Sequence, residues 1–175
     1  SDEVNIYTGR HSFDYVSKAT ELSEEAATEC PHVSIDASRL SKVESGKITM
    51  IATERGVGVC APEHLVAQGD VIVNTSGPLS LPKVIEASGD IEIRSGAALK
   101  LSGVSFSASG YLCLSGESLL IDGASHVRSG GASSSGKASM LLEASTSLEN
   151  KGNVSSEGGD LAIDVGSLEN SQKLA

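Results

Sequence analysis

Two cysteines, each followed closely by a histidine, are the residues of this chain whose types could do chemistry. Cys30 precedes His32 and Cys60 precedes His64, which places two thiols and two imidazoles around one segment. Zinc accepts such a donor set, although the spacing C-x-H…C-x-x-x-H matches no established zinc motif. A Cys30–Cys60 disulfide is the reading preferred over a metal site; it would close a loop of about 30 residues and stabilise by about 3–4 kcal/mol if unstrained. Two free thiols are the third. Cys113 stands between Leu112 and Leu114 and reads as an inert thiol.

Carboxylates are the next candidates. Glu86, Asp90 and Glu92 lie close in sequence, and paired carboxylates on an outer strand face can cleave glycosidic bonds. Yet Asp70, Asp90 and Asp160 all follow a glycine in the same phrase, and a residue repeated in register is a turn device. Sugar clefts also favour aromatic platforms, and only Phe106 and Tyr111 occur in this region. No G-x-S-x-G elbow, Ser-His-Asp pattern, P-loop or calcium nonapeptide is present. His11, His126, Arg55, Arg94 and Arg128 read as structural or solvated side chains. Glu54 and Arg55 read as a surface pair, with Gly56 and Gly58 serving a close turn.

The elements that must position these residues announce themselves as a repeat. A glycine, one further residue and then alternating apolar residues recur in SGKITMI (45–51), QGDVIV (68–73), SGDIEI (88–93) and SGYLCL (109–114). Looser copies are SGKASMLL (135–142) and GGDLAIDV (158–165). The glycines Gly46, Gly69, Gly89, Gly110, Gly136 and Gly159 step by 23, 20, 21, 26 and 23 residues. A period in the twenties implies stacked units, none able to bury its apolar face alone. A second strand phrase follows the first in SGPLSL, SGAALKL and SGESLLI.

Two or three short strands per period, joined by Gly/Ser corners, predict an all-β parallel β-helix whose coils stack about 4.8 Å apart. Alternation turns Val71, Val73, Ile91, Ile93, Leu112 and Leu114 inward, and Ile72, Glu92 and Cys113 outward. An antiparallel sandwich is the bland alternative. Gly69, Gly89 and Gly110 are expected at corners. The phrase Ser-Leu-Glu-Asn recurs at 147–150 and 167–170, so Asn150 and Asn170 are expected to cap the same corner and stack.

Residues 1–44 differ. Residues 4–7 read as a strand, the charged stretch 16–29 as a short surface helix or as part of an excursion from the coil near 16–43, and residues 32–40 as an extra strand along the outside. Residues 45–175 continue as repeats. Net charge is −10 with no basic stripe, which argues against nucleic acid. No apolar run is long enough to span a membrane. Ser1 and the last residues read as cut points in a longer array.

TGRHSFDY (8–15), SIDASRL (34–40) and GKITMIATERGVGV (46–59) resemble filamentous haemagglutinin-like exoproteins of two-partner secretion. They match the end of the secretion domain and the start of its repeats. The SLEN corner and SEGGDLAI (156–163) resemble haemagglutinin repeats, which also build the stalks of contact-dependent growth-inhibition effectors. The resemblance implies a right-handed parallel β-helix, secreted or held at the surface of a Gram-negative bacterium. It implies a non-enzymatic role in adhesion or in presenting a distal effector, with no cofactor. The implied partners are an outer-membrane transporter, reached through residues outside this chain, and a receptor on a host or neighbouring cell. The Asn-Pro motifs that such transporters read are absent here, so no residue inherits that role. Export implies an oxidising medium, in which a Cys30–Cys60 bridge would persist. The other functions to weigh are a carbohydrate-active β-helix enzyme and a passive spacer.

Overall fold

A computed structural model describes residues 2–8, 11–13, 20–22, 33–54, 57–131 and 139–172. It is an all-β parallel solenoid of about six turns, and the described residues include no helix. The first turn contains β1 (Glu3–Thr8), β2 (His11–Phe13), β3 (Thr20–Leu22), β4 (Val33–Asp36) and β5 (Lys42–Ser45). The second contains β6 (Lys47–Ala52), β7 (Gly58–Cys60) and β8 (His64–Ala67); the third β9 (Val71–Thr75), β10 (Leu79–Ser80) and β11 (Val84–Ala87). The fourth contains β12 (Ile91–Ser95), β13 (Leu99–Leu101) and β14 (Ser105–Ala108). In the fifth, β15 (Leu112–Ile121) covers two faces and β16 (His126–Ser129) the third; β17 (Met140–Asn150) and β18 (Asn153–Ser156) repeat this in the sixth. A seventh begins with β19 (Leu161–Val165) and β20 (Leu168–Asn170).

Each turn presents three faces. The first stacks β1, β6, β9, β12, β15, β17 and β19 in parallel. Its register lines Val4, Ile48, Val71, Ile91, Leu112, Met140 and Leu161 into one inward column. Ile48 through Met140 are fully buried. The alternating pattern works because a strand's successive side chains point to opposite faces, so every second residue meets its counterpart one turn away. The second face joins β4, β7 and β10, then β13 with the later halves of β15 and β17, and β20. The third stacks β5, β8, β11, β14, β16 and β18.

This third strand is the element the two-phrase reading of the repeat missed. Its sequences, HLVA, VIEA, SFSA, HVRS and NVSS, offer only two inward positions, and the second of them is always alanine or serine. Two further details differ from the glycine spacing. Leu112 pairs with Met140, so the loose phrase SGKASMLL enters the stack two residues later than Gly136 implies; Gly136 itself lies outside the described residues. Coil six also carries one extra residue at its first corner, where the register shifts between Gly116 and Ser118.

Near the start, β2 and β3 form an antiparallel pair off the coil, and the chain rejoins the stack at β4. The strand expected along the outside at 32–40 is instead a coil strand: Ile35 pairs with Val59 and is 6% exposed, inside the core. Of the charged stretch 16–29, read as excursion or helix, residues 20–22 form β3, and residues 16–19 and 23–29 lie outside the described residues.

Candidate functional site

The corners are where polar chemistry concentrates. The glycine column is bonded turn to turn, Gly69 N–H to the Gly46 carbonyl at 2.6 Å, Gly89 to Gly69 and Gly110 to Gly89 at 3.0 Å each. A Cβ on Gly69 would lie 2.8 Å from the Gly46 oxygen, so no larger residue fits that close approach. In the next slot stand Lys47, Asp70, Asp90, Tyr111, Ser139 and Asp160, each just before its inward apolar residue. Lys47 Nζ pairs with Asp70 at 3.4 Å, Asp70 Oδ1 accepts the Asp90 N–H at 3.1 Å, and Asp90 Oδ1 accepts the Tyr111 N–H at 2.7 Å. These carboxylates bind one turn to the next.

The corner after the first face carries hydroxyls. Thr75 Oγ1 donates to the Val57 carbonyl at 3.1 Å and accepts the Gly77 N–H at 3.2 Å; Ser95 donates to Gly77 and accepts from Ala97 at 3.0 and 3.2 Å. Each hydroxyl thus closes its own turn and ties it to the turn before. Asp122 does related work at another corner, accepting from Ser125 Oγ at 2.7 Å and from the N–H groups of Gly103 and Ala124 at 3.1 Å. The Ser125 and Gly103 bonds hold its carboxyl below the usual carboxylate range.

At the corner closing the second face, Asn150 is fully buried in the inward column of Leu101 and Ile121. Its Oδ1 accepts the Gly152 N–H at 3.1 Å, and its Nδ2 donates to Asn170 Oδ1 at 2.9 Å. A buried amide has four hydrogen-bonding positions to satisfy, and the in-register copy of itself supplies a matching partner. Ser129 lacks such help: its hydroxyl is buried without a partner, in a column where the two preceding turns carry Ala108 and Ala87 and the next turn Ser156.

The outer surface separates the other candidates. Glu86 sits exposed on the third face, Asp90 at the corner bound to Tyr111, and Glu92 on the outer side of the first face. They line no common groove. Phe106, one of the two aromatic residues of the repeats, is 1% exposed within the core. The hollows on the outer surface are shallow and polar, one of about 320 Å³ over His126, Arg128, Ser107 and Asn153. There His126 Nδ1 lies 3.4 Å from Asn153 Nδ2, and Arg128 pairs with Glu157 at 2.5 Å.

Cys60 lies half-buried on β7, in register with Asp36; burial and that carboxylate push its thiol pKa up. Cys30 and His32 lie outside the described residues, as do Arg55 and Gly56, and among the described residues no three His, Cys, Asp or Glu converge on a metal position. Cys113 points outward yet is fully buried. Its row neighbours are Glu92 and Leu141, and Arg94 beside it pairs with Glu92 at 2.6 Å and Glu143 at 3.4 Å. None of that cover was foreseen from the sequence, where Arg94 reads as a solvated side chain.

An 80-residue stretch, 45% of this chain, is 34% identical to toxin CdiA of Yersinia pestis. The chain spans about 2% of that protein's length. No family model and no solved structure matches the chain.

Proposed function

We propose that this chain is a stiff β-solenoid segment of a secreted or surface-exposed bacterial filament exported by two-partner secretion. Its work is mechanical: it mediates adhesion or holds a distal effector away from the cell. The observation that carries this reading is the first-face register, unbroken from Val4 to Leu161 with a column buried throughout its middle. A parallel stack of this kind is quasi-one-dimensional: each turn contacts only its neighbours, so length is gained by adding turns. Likeness to a stretch of a named toxin supports placement in a long effector-bearing chain. The dispersal of Glu86, Asp90 and Glu92 over two faces and a corner supports a scaffold over a carbohydrate-active enzyme.

Residues 1–44 then form the end of a secretion-type domain continuous with the repeats from 45 onward. The partners of this reading are an outer-membrane transporter, engaged through other parts of the parent protein, and a receptor on the facing cell. The test is to replace residues 45–175 in the full-length parent protein by a flexible linker of equal residue number. Export is expected to persist while adhesion or effector delivery falls at least tenfold. Undiminished adhesion and delivery, or cleavage of uronic-acid polymers by the purified chain, would overturn the reading.

A further inference from the structure

On the outer side of the first face, a thiol that alternation points toward solvent is completely covered. Cys113 lies between inward Leu112 and Leu114, so its Cβ faces out, yet it has no exposed surface. Its row neighbours are Glu92 and Leu141, and two further side chains lie close to it, Tyr111 and Arg94. Tyr111, at the corner two residues before it and on the same outward side, is half-buried. Arg94 rises from turn four, reaches over small Ser115 in turn five, and meets Glu143 of turn six, all three in one outer row. Its Nε is anchored at 2.6 Å to Glu92, the residue beneath Cys113 in the neighbouring row. The span of two turns is about 10 Å, which a guanidinium side chain bridges only because Ser115 is small.

We propose that Arg94, tied at both ends to Glu92 and Glu143, and the Tyr111 ring form a strap that closes over Cys113 and opens without unfolding the coil. The strap is anchored by partly exposed ion pairs, which salt screens, whereas the turns beneath are held by backbone ladders and a buried apolar core. The two therefore open at different costs. With the strap closed, an outward thiol is withheld from oxidants and from thiols of neighbouring copies. Burial also pushes the Cys113 pKa up, which keeps the group in its less reactive form.

The test uses the full chain with Cys30 and Cys60 replaced by serine, leaving Cys113 as the single thiol. Its labelling by a disulfide reagent is timed in low and high salt, alongside thermal melting. Labelling in low salt is expected to be slow, and 1 M sodium chloride is expected to speed it about tenfold with little change in melting temperature. Arg94→Gln is expected to raise the low-salt rate to the same extent and abolish the salt effect, and Tyr111→Ala to raise it further. Labelling as fast as a free peptide thiol would contradict the strap. So would a rate that tracks global unfolding in every variant and at both salt concentrations.

Discussion

Leu148 and Leu168 occupy the same slot one turn apart, in the same Ser-Leu-Glu-Asn phrase, and differ completely in environment. Leu148 has no exposed surface and Leu168 is 50% exposed. The same contrast holds for Asn150 and Asn170, and for Met140 and Leu161. The residues are alike; the cover differs. In a globular domain a residue's burial follows from its own element's packing, but here a turn becomes core only when another lies on each side of it. Identical phrases therefore contribute unequally to stability according to position in the stack, and substitutions in matched pairs can measure that inequality.

The largest difference is expected from charge. In the 175-residue chain, Ile91→Asp places an unpaired carboxylate inside a fully buried column and should cost on the order of 5 kcal/mol, whereas Leu161→Asp, in the same column but half-buried in the last described turn, should cost about 1–2 kcal/mol. Chemical denaturation of both variants reads this directly; equal costs would mean that the column is not continuous. Truncation gives the next contrast. Leu148→Ala should lose about 2–5 kcal/mol through lost burial and a cavity, and Leu168→Ala less than about 1 kcal/mol.

Polar corners sharpen the comparison further. Asn150→Ala strands the Gly152 N–H and removes a partner of Asn170, an expected loss of about 2–3 kcal/mol in the midpoint of unfolding. The smallest effect has the opposite sign. Ser129→Ala removes a buried hydroxyl that has no partner and should gain about 1 kcal/mol, while Ser156→Ala, in the same column, forfeits a 2.8 Å bond to the Gly159 carbonyl and should not gain.

The first face was legible in the sequence because its signal is strong: five or six residues, two large inward positions and a glycine that restarts every phrase. Val71, Ile91 and Leu112 could be aligned by eye. The third face was not, because Leu65, Ile85, Phe106, Val127 and Val154 are lone large residues in four-residue strands, and one apolar residue carries no period. Their partner slots hold Ala67, Ala87 and Ala108, whose small size fits the narrow corner but resembles loop composition. A hint was available in the x-Φ-x-Ala or x-Φ-x-Ser motif shortly before each corner glycine. The strand at 33–36 was misplaced to the outside because SIDAS alternates like an exposed edge, while its register with Val59 is decided by a turn 24 residues away. The strap over Cys113 was invisible for a related reason: Arg94 and Glu143 are 49 residues apart and meet only through two turns of register.

The central claim is that turns stack in parallel at a constant rise. It is tested most directly by nitroxide distances along the outer row Glu44, Val66, Glu86, Ser107, Arg128 and Ser155 of the third face. Labels would be attached through cysteines introduced into a chain whose three native cysteines are serine. A label at position 44 paired with one at 128 spans four turns, and paired with one at 155 spans five. Backbone separations of about 19 and 24 Å are expected, each turn adding about 4.8 Å. Distances that fail to grow by one such step between the two pairs, as in an antiparallel sandwich, would contradict the stack.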